Sequence, residues 1–258
     1  MIPLTVGAFV PIGRLLFESA GLPAQLELGG GVDLAAAWST MQGAFGQALE
    51  RSRADLANSI LYSTCAAAVA VPIGLIIGHA IERAPRRIGR ALEFLGLLPL
   101  ALPAILFGIG AVFVWSKPAT ADLYDSGAMA VLLFVGRYVA FPVLLLAGAV
   151  ASLDRRLEES AAIAGAGPAK RMLRIVAPEL RGSLAGSFVL VFVFCMRELD
   201  SAILVPAANH TAILRVFNGV HFGRDEYVAA LALLLIFAIL LPGALWSLFA
   251  KKRLEVLR

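Results

Sequence analysis

Long apolar blocks alternate with short polar segments along most of this chain, and each block approaches the length that crosses a membrane as a helix. About 20 apolar residues in an α-helix cover the hydrocarbon core of a bilayer. The composition, 60% hydrophobic and 16% charged, is more apolar than that of soluble domains, which are about half apolar and a quarter charged. The sequence therefore predicts an all-α, polytopic integral membrane protein of about six transmembrane helices, at about residues 2–17, 57–80, 91–115, 128–151, 182–205 and 227–249.

The first block is a little short for a full span, so an interfacial helix is the alternative over 2–17. It lacks a basic start and a clear small-residue cleavage site, and we expect no cleavable signal peptide. Cys65 and Cys195 both lie inside apolar blocks, which predicts neither a disulfide framework nor a metal site. No surface with clustered basic residues and interleaved aromatics is evident, and this excludes nucleic-acid binding.

The distribution of Lys and Arg predicts the orientation in the membrane. Fourteen basic residues lie in the segments 82–90, 152–181 and 251–258, against five in the connections on the other side. Positively charged loops stay cytoplasmic. The segment after the fourth block and the C-terminus are therefore predicted to face the cytoplasm.

That cytoplasmic segment, Glu158–Pro178, is a polar, charged stretch of moderate length between two long apolar blocks. Its first part is rich in helix formers, and Gly165 can adopt the left-handed conformation that ends a helix. Pro168 suits the first turn of a second helix. The sequence predicts a helical hairpin over residues 155–178, on the membrane surface, to which another protein can bind.

The same segment resembles the EAA loop of ABC-importer permeases. That pattern is Glu-Ala-Ala, three residues, Gly, nine residues and Ile-x-Leu-Pro, matched in spacing by Glu159-Ser160-Ala161, Gly165 and Ile175-Val176-Ala177-Pro178. Two positions depart from the pattern, because Ser160 replaces Ala and Ala177 replaces Leu. The resemblance implies a type I ABC importer permease fold in a bacterial inner membrane.

In that family the hairpin docks into a groove of the ATP-binding subunit. The resemblance therefore implies an ATPase-coupling role for Glu159, Ala161, Gly165, Ile175 and Pro178. It also implies three partners: an ATPase dimer that binds the ATP, a second permease domain, and an extracytoplasmic substrate-binding protein. The second domain would come from a homodimer or from a fused or paired half.

A polar cluster interrupts the fifth block at Arg197, Glu198, Asp200 and Ser201. A charge at the centre of a membrane helix costs about 2.5–3.5 kcal/mol on insertion scales, so we expect these side chains to face the bundle interior or a water-filled path. Arg197 and Asp200 are three residues apart and are predicted to pair on one helix face. Two interpretations stay open: a paired structural cluster, and a lining of the translocation path.

The Glu198-Leu199 pair resembles the fifth span of iron(III)- and thiamine-type permeases, although Asp200 departs from the small residue expected there. Ferric iron is the cargo that this branch implies, with thiamine, polyamines and phosphonates as alternatives. The outer connection also resembles the iron(III)-type subgroup, at Thr211–Asn218, Gly223 and Ala229–Ala232.

The sequence contains no Gly-x-Ser-x-Gly elbow, His-Glu-x-x-His motif or P-loop. We therefore expect no enzymatic activity in this chain, and the energy for transport would come from a partner. The alternative class is an ion-coupled secondary transporter with Glu198 and Asp200 as its coupling site. Against it, the two halves show neither an inverted repeat nor matching broken helices.

Overall fold

The computed structural model describes residues 5–27, 31–204, 206–222 and 225–256, and every regular element within these ranges is helical. The all-α prediction is confirmed. The start of the predicted block 2–17 lies outside the described residues, as do Val205, Gly223, Arg224 and the last two residues of the basic C-terminus.

The first half of the chain begins with a π-helical turn at Thr5–Phe9, and a 3-10 turn at Pro118–Thr120 precedes its last helix. Its helices, in chain order, are α1 Val10–Ser19, α2 Leu22–Glu27, α3 Leu34–Arg51, α4 Arg53–Arg83, α5 Arg86–Ala101, α6 Ala104–Trp115 and α7 Ala121–Tyr124.

The second half contains a π-helical segment, Met172–Val176, and 3-10 turns at Ala202–Leu204 and Ala207–Asn209. Its helices are α8 Gly127–Tyr138, α9 Ala140–Ala151, α10 Arg155–Ile163, α11 Pro168–Arg171, α12 Ala177–Glu179, α13 Arg181–Met196, α14 Ala212–Phe222 and α15 Glu226–Val256.

Two of the described helices are long and apolar enough to cross a membrane alone, α4 and the first part of α15, Glu226–Ser247. Three further spans result if each bent helix pair counts as one: α5 with α6, α8 with α9, and the 168–179 segment with α13. The described part of the predicted span 2–17 is a five-residue π turn followed by the ten residues of α1. The count of about six spans stays a prediction.

Prolines explain where two of these pairs bend. Leu102 precedes Pro103 and has the extended backbone that a following proline favours, so α5 ends and α6 leaves it at 98°. Pro142 lacks the amide hydrogen that would bond to the Tyr138 carbonyl, which accounts for the 48° bend between α8 and α9. By contrast, Pro72 lies inside α4 without interrupting it.

Two glycines one helical turn apart bring α4 against α9. A Cβ atom on Gly74 would lie 2.6 Å from the Pro142 Cβ, and one on Gly78 would lie 2.7 Å from the Ala147 amide nitrogen. Glycines four residues apart allow two membrane helices to approach closely through their backbones. This Gly-x-x-x-Gly contact was not among the sequence predictions.

The chain divides into two compact units, of which the first comprises Met1–Ile60 and Pro206–Leu245. A small-residue core in this unit joins α3 to α15 through Ala44, Ala48, Ala230 and Leu231. The buried carboxylate of Asp55 pairs with Arg215, which fixes α14 on the start of α4.

The second unit comprises Leu61–Val205 and Trp246–Arg258, and it contains the hairpin and the polar cluster. Its hydrophobic core joins α4, α9 and the second half of the hairpin. The buried members of this core are Val71, Leu75, Leu146, Val150, Val176 and Leu180. The hairpin is therefore packed onto α4 and α9 through Val176.

Candidate functional site

The turn of the hairpin is a Schellman motif centred on Gly165. Gly165 has φ +83° and donates its amide hydrogen to the Ala162 carbonyl at 3.0 Å. The next amide, that of Ala166, bonds to the Ala161 carbonyl at 2.9 Å. These are the two hydrogen bonds that define this helix ending. A Cβ atom on Gly165 would meet nothing within 4 Å, so only backbone strain restricts the position.

Asp154 fixes the opposite end of the first hairpin helix. Its side chain accepts a hydrogen bond from the Arg156 amide at 3.0 Å and satisfies one of the free donors at the start of α10. The predicted hairpin, 155–178, thus begins at a capped helix and turns at a glycine.

The structure distributes the five predicted coupling residues along the whole hairpin. Glu159 and Gly165 are exposed, and Ala161 is half-buried beside the turn. Ile175 is half-buried in the π-helical segment, and Pro178 is exposed in α12. Of the five, Glu159, Gly165 and Pro178 are therefore accessible to another protein.

Sequence reasoning missed the buried carboxylate beside them, that of Glu158. Its Oε2 atom lies 2.7 Å from Nε2 of His79, and its Oε1 atom accepts a hydrogen bond from Nε of Arg83 at 2.9 Å. Arg83 also donates to the Leu153 carbonyl at 3.1 Å. His79 and Arg83 are one turn apart at the end of α4, so this cluster fastens the hairpin to that helix.

The pKa of Glu158 follows from these contacts. Burial raises the pKa, but the hydrogen bonds and positive charge of His79 and Arg83 outweigh burial and hold it below the ordinary value of a glutamate. A carboxyl group whose pKa is lowered by folding stabilises the folded state above the unfolded-state pKa. That contribution is lost as the pH falls through the lowered value.

The polar cluster after the fifth block is arranged differently from the prediction. Helix α13 ends at Met196, so the predicted span 182–205 is helical over only part of its length and Arg197 and Asp200 do not share a helix face. Both side chains are exposed, and they form no ion pair with each other. The predicted pairing is wrong because a helical spacing of three residues does not survive the end of the helix.

Glu198 is the member of the cluster that the fold encloses. Its carboxylate accepts hydrogen bonds from the Ser201 amide at 3.0 Å and from the Ser201 hydroxyl at 2.7 Å. The Tyr138 hydroxyl also donates to it. Three donors satisfy the buried carboxyl group, so Glu198 fixes the turn after α13 and joins it to α8.

A cavity of 340 Å³ opens beside this turn. One wall is a stack of three aromatic rings, with Phe141 and Phe194 centroids 4.6 Å apart and Tyr138 next to both. Arg137 lines the cavity and donates to the carbonyls of Pro99 and Leu102, where α5 ends. The cavity is also lined by all the charged members of the cluster, Arg197, Glu198 and Asp200.

The comparison with known families decides the class of the protein. A family profile described as binding-protein-dependent transport system inner membrane component matches residues 70–254. The chain belongs to this family. It is a permease subunit of an ABC importer and a protein of the inner membrane, and such subunits are not enzymes. This assignment decides against the ion-coupled alternative.

Two relatives illustrate the range of the family. The permease is 26% identical over 231 residues to the putrescine transport system permease protein PotI of Escherichia coli K12, covering 86% of this chain and 82% of that protein. It is 26% identical over 204 residues to the ferric transport system permease protein FbpB of Actinobacillus pleuropneumoniae, covering 78% of this chain and 29% of that protein.

A solved structure supports the fold independently of sequence. One chain of a bacterial ABC transporter involved in the import of the acidic polysaccharide alginate superposes with a TM-score of 0.70. The match has 13% sequence identity and covers 95% of this chain and 91% of that chain. The predicted ABC importer permease fold is confirmed.

Proposed function

We propose that this permease forms part of the translocation path of its importer and that a cytoplasmic ATPase drives it through the hairpin 155–178. The observation that carries the proposal is the Schellman turn at Gly165, which presents an exposed helix end while Glu158 holds the other face against α4. Such an element has one face available for a partner and one face joined to the membrane helices.

The chemistry of the exposed face suits a protein groove. Ile163 is 90% exposed at the last position of α10, next to the turn, and nothing in the described part of the second unit covers it. Glu159 lies four residues before Ile163 on α10, so an acidic and an apolar side chain are exposed on the same helix face. We infer that Ile163 enters the ATPase groove together with Glu159 and Ala161, while Ile175 and Pro178 set the angle at which the hairpin joins α13.

The remaining partners follow from the family. Its description as binding-protein-dependent supports an extracytoplasmic binding protein that delivers the cargo. ATP would bind to the ATPase dimer, and a second permease domain would complete the path. The clustering of basic residues supports a cytoplasmic hairpin and C-terminus.

A substitution at Gly165 tests the coupling. We expect Gly165→Val to reduce ATP-driven uptake about tenfold, because a left-handed conformation costs a non-glycine residue about 1–2 kcal/mol and the turn would open. Two quantities are measured in proteoliposomes that contain the complete transporter: ATP-driven uptake of the cargo, and the amount of ATPase subunit that stays bound to the permease. Gly167→Val is the matched control, since Gly167 has φ −67° and open space around it. Normal transport by Gly165→Val would refute the proposal.

For the cargo we propose ferric iron, supported by the FbpB relative and by the Glu198-Leu199 pair. A polyamine is the second candidate, because the match to PotI covers most of both chains. Proteoliposomes loaded with the cognate binding protein would distinguish them by uptake of radioactive iron(III) or putrescine. If the proteoliposomes accumulated putrescine in an ATP-dependent manner but did not accumulate iron(III), a polyamine would replace ferric iron as the first candidate.

The path residues are part of the same proposal. Arg197 and Asp200 are exposed into the 340 Å³ cavity and would contact the cargo, while Glu198 and Ser201 hold the turn that presents them. We expect Asp200→Asn to lower uptake of the preferred cargo severalfold without changing the amount of folded transporter. Asp122→Asn, on the exposed surface of α7, is the control. Equal uptake by Asp200→Asn and the wild type would remove Asp200 from the path.

A further inference from the structure

Two adjoining cavities lie between the end of α4 and the hairpin, away from the polar cluster, and the first of them shares Glu159 with the coupling face. The first has a volume of 260 Å³ and is lined by charged side chains: His79, Arg83, Arg155, Glu158, Glu159 and Arg171. The second has a volume of 370 Å³ and shares His79, Glu158 and Arg171 with the first. Its other walls are apolar, formed by Ile76, Pro168, Ala169, Met172 and Leu173.

The charged cavity has unused capacity to bind an anion. Three guanidinium groups face two carboxylates, and the Glu158 carboxylate is already taken by Arg83 and His79. The Nε atom of Arg171 is buried and has no hydrogen-bond partner among the described residues. An unpaired buried donor is costly, so a group that accepts its hydrogen would be bound favourably.

The apolar cavity indicates what kind of molecule carries that anion. Ile76 lies inside the predicted membrane span 57–80 and is exposed, as is Leu173 on the facing wall. One wall of the groove thus belongs to the hydrocarbon region and the other to the membrane-surface hairpin. A soluble anion would leave this groove empty, whereas an acyl chain would fill it.

We propose that these joined cavities bind an anionic phospholipid, with its phosphate on Arg171 and one acyl chain in the groove beside Ile76 and Leu173. Basic pockets beside membrane helices on the cytoplasmic side are suited to anionic headgroups. The phosphate would accept the free Nε–H of Arg171 in a charge-assisted hydrogen bond. The lipid would then lie between the hairpin and the end of α4, with Glu159 of the coupling face among the residues that line its headgroup cavity.

Lipid binding to the full-length permease in neutral detergent micelles tests this site without any ATPase, so its outcome is separate from that of the coupling proposal. Native mass spectrometry would compare dioleoyl phosphatidylglycerol, dioleoyl phosphatidylcholine and glycerol 3-phosphate. We expect phosphatidylglycerol to bind about tenfold more tightly than either of the others. Equal affinity for the two lipids would overturn the proposal, and so would equally tight binding of glycerol 3-phosphate.

Arg171→Gln should reduce the affinity for phosphatidylglycerol about tenfold, to the level of phosphatidylcholine. The control is Arg174→Gln, an exposed arginine three residues further on that does not line either cavity. An equal loss in both variants would show unspecific attraction to basic residues and would refute the site, as would no loss in Arg171→Gln. If Arg171→Gln does not fold, the exposed substitution Leu173→Ser should weaken phosphatidylglycerol binding at least threefold, and unchanged binding would count against the groove.

Discussion

Glu158→Ala is expected to lower the free energy of unfolding by about 3 kcal/mol, at the low end of the range of about 3–5 kcal/mol for breaking a buried ion pair. The side chains of Glu158 and Arg83 are only 10% and 17% exposed, and they are hydrogen-bonded at 2.9 Å. Removal of the carboxylate leaves the Arg83 guanidinium with its backbone partner alone and His79 without the carboxylate that it contacts. The measurement is reversible unfolding of the purified permease in mixed micelles at pH 7.

The neighbouring Glu159→Ala is the matched control, because Glu159 is exposed and forms no ion pair within the described part of the chain. It should change stability by less than about 0.5 kcal/mol. Glu159→Ala is expected to weaken ATPase binding while the hairpin stays folded. Glu158→Ala is expected to act instead through the lower stability of the fold. Equal stability of Glu158→Ala and Glu159→Ala would contradict the fastening role of Glu158.

The stability difference between the wild type and Glu158→Ala should depend on pH. Because folding lowers the pKa of Glu158, its contribution is complete above the ordinary glutamate pKa of about 4.3. It declines as the pH falls through the lower folded-state value. The stability difference between the wild type and Glu158→Ala should therefore shrink as the pH falls below about 4.

Gly78→Ala is expected to destabilise the permease by about 1–3 kcal/mol, although alanine favours helices more than glycine does. The new Cβ atom would lie 2.7 Å from the Ala147 amide nitrogen and 3.0 Å from the Val143 carbonyl oxygen. These are backbone atoms of α9 and cannot rotate away, so the two helices must separate. Unfolding in mixed micelles measures the loss.

Gly148→Ala supplies the control on α9 itself. A Cβ atom on Gly148 would meet nothing within 4 Å, so this variant should be as stable as the wild type or slightly more stable. If Gly78→Ala were also neutral, the close contact between α4 and α9 would not exist in the folded protein.

The apolar blocks and the hairpin could be predicted from the sequence because each depends on local properties. Block length follows from hydrophobicity, and the turn at Gly165 follows from a glycine between two helix-forming segments. The distinction between Glu158 and Glu159 could not be predicted, since both fit the same helix. Only the position of α4 shows which carboxylate is turned inward, towards Arg83.

The end of α13 was missed for a related reason. Residues after the polar cluster return to an apolar, helix-compatible pattern as far as Leu204, so nothing local marks the end of the helix at Met196. The turn depends on Glu198, whose partners include Tyr138, 60 residues earlier. The four-residue spacing of Gly74 and Gly78 can be read from the sequence. The sequence does not show that α9 is the helix that packs against these two glycines.

The backbone contact between α4 and α9 has a mechanical consequence. Neither helix can slide along or rotate against the other without driving glycine-lined backbone into backbone. We therefore expect the two helices to travel as a single rigid block, carried by the hairpin that Glu158 attaches to it. Gating motion would then be concentrated at the proline-bent joints, above all the 98° corner at Leu102 and Pro103.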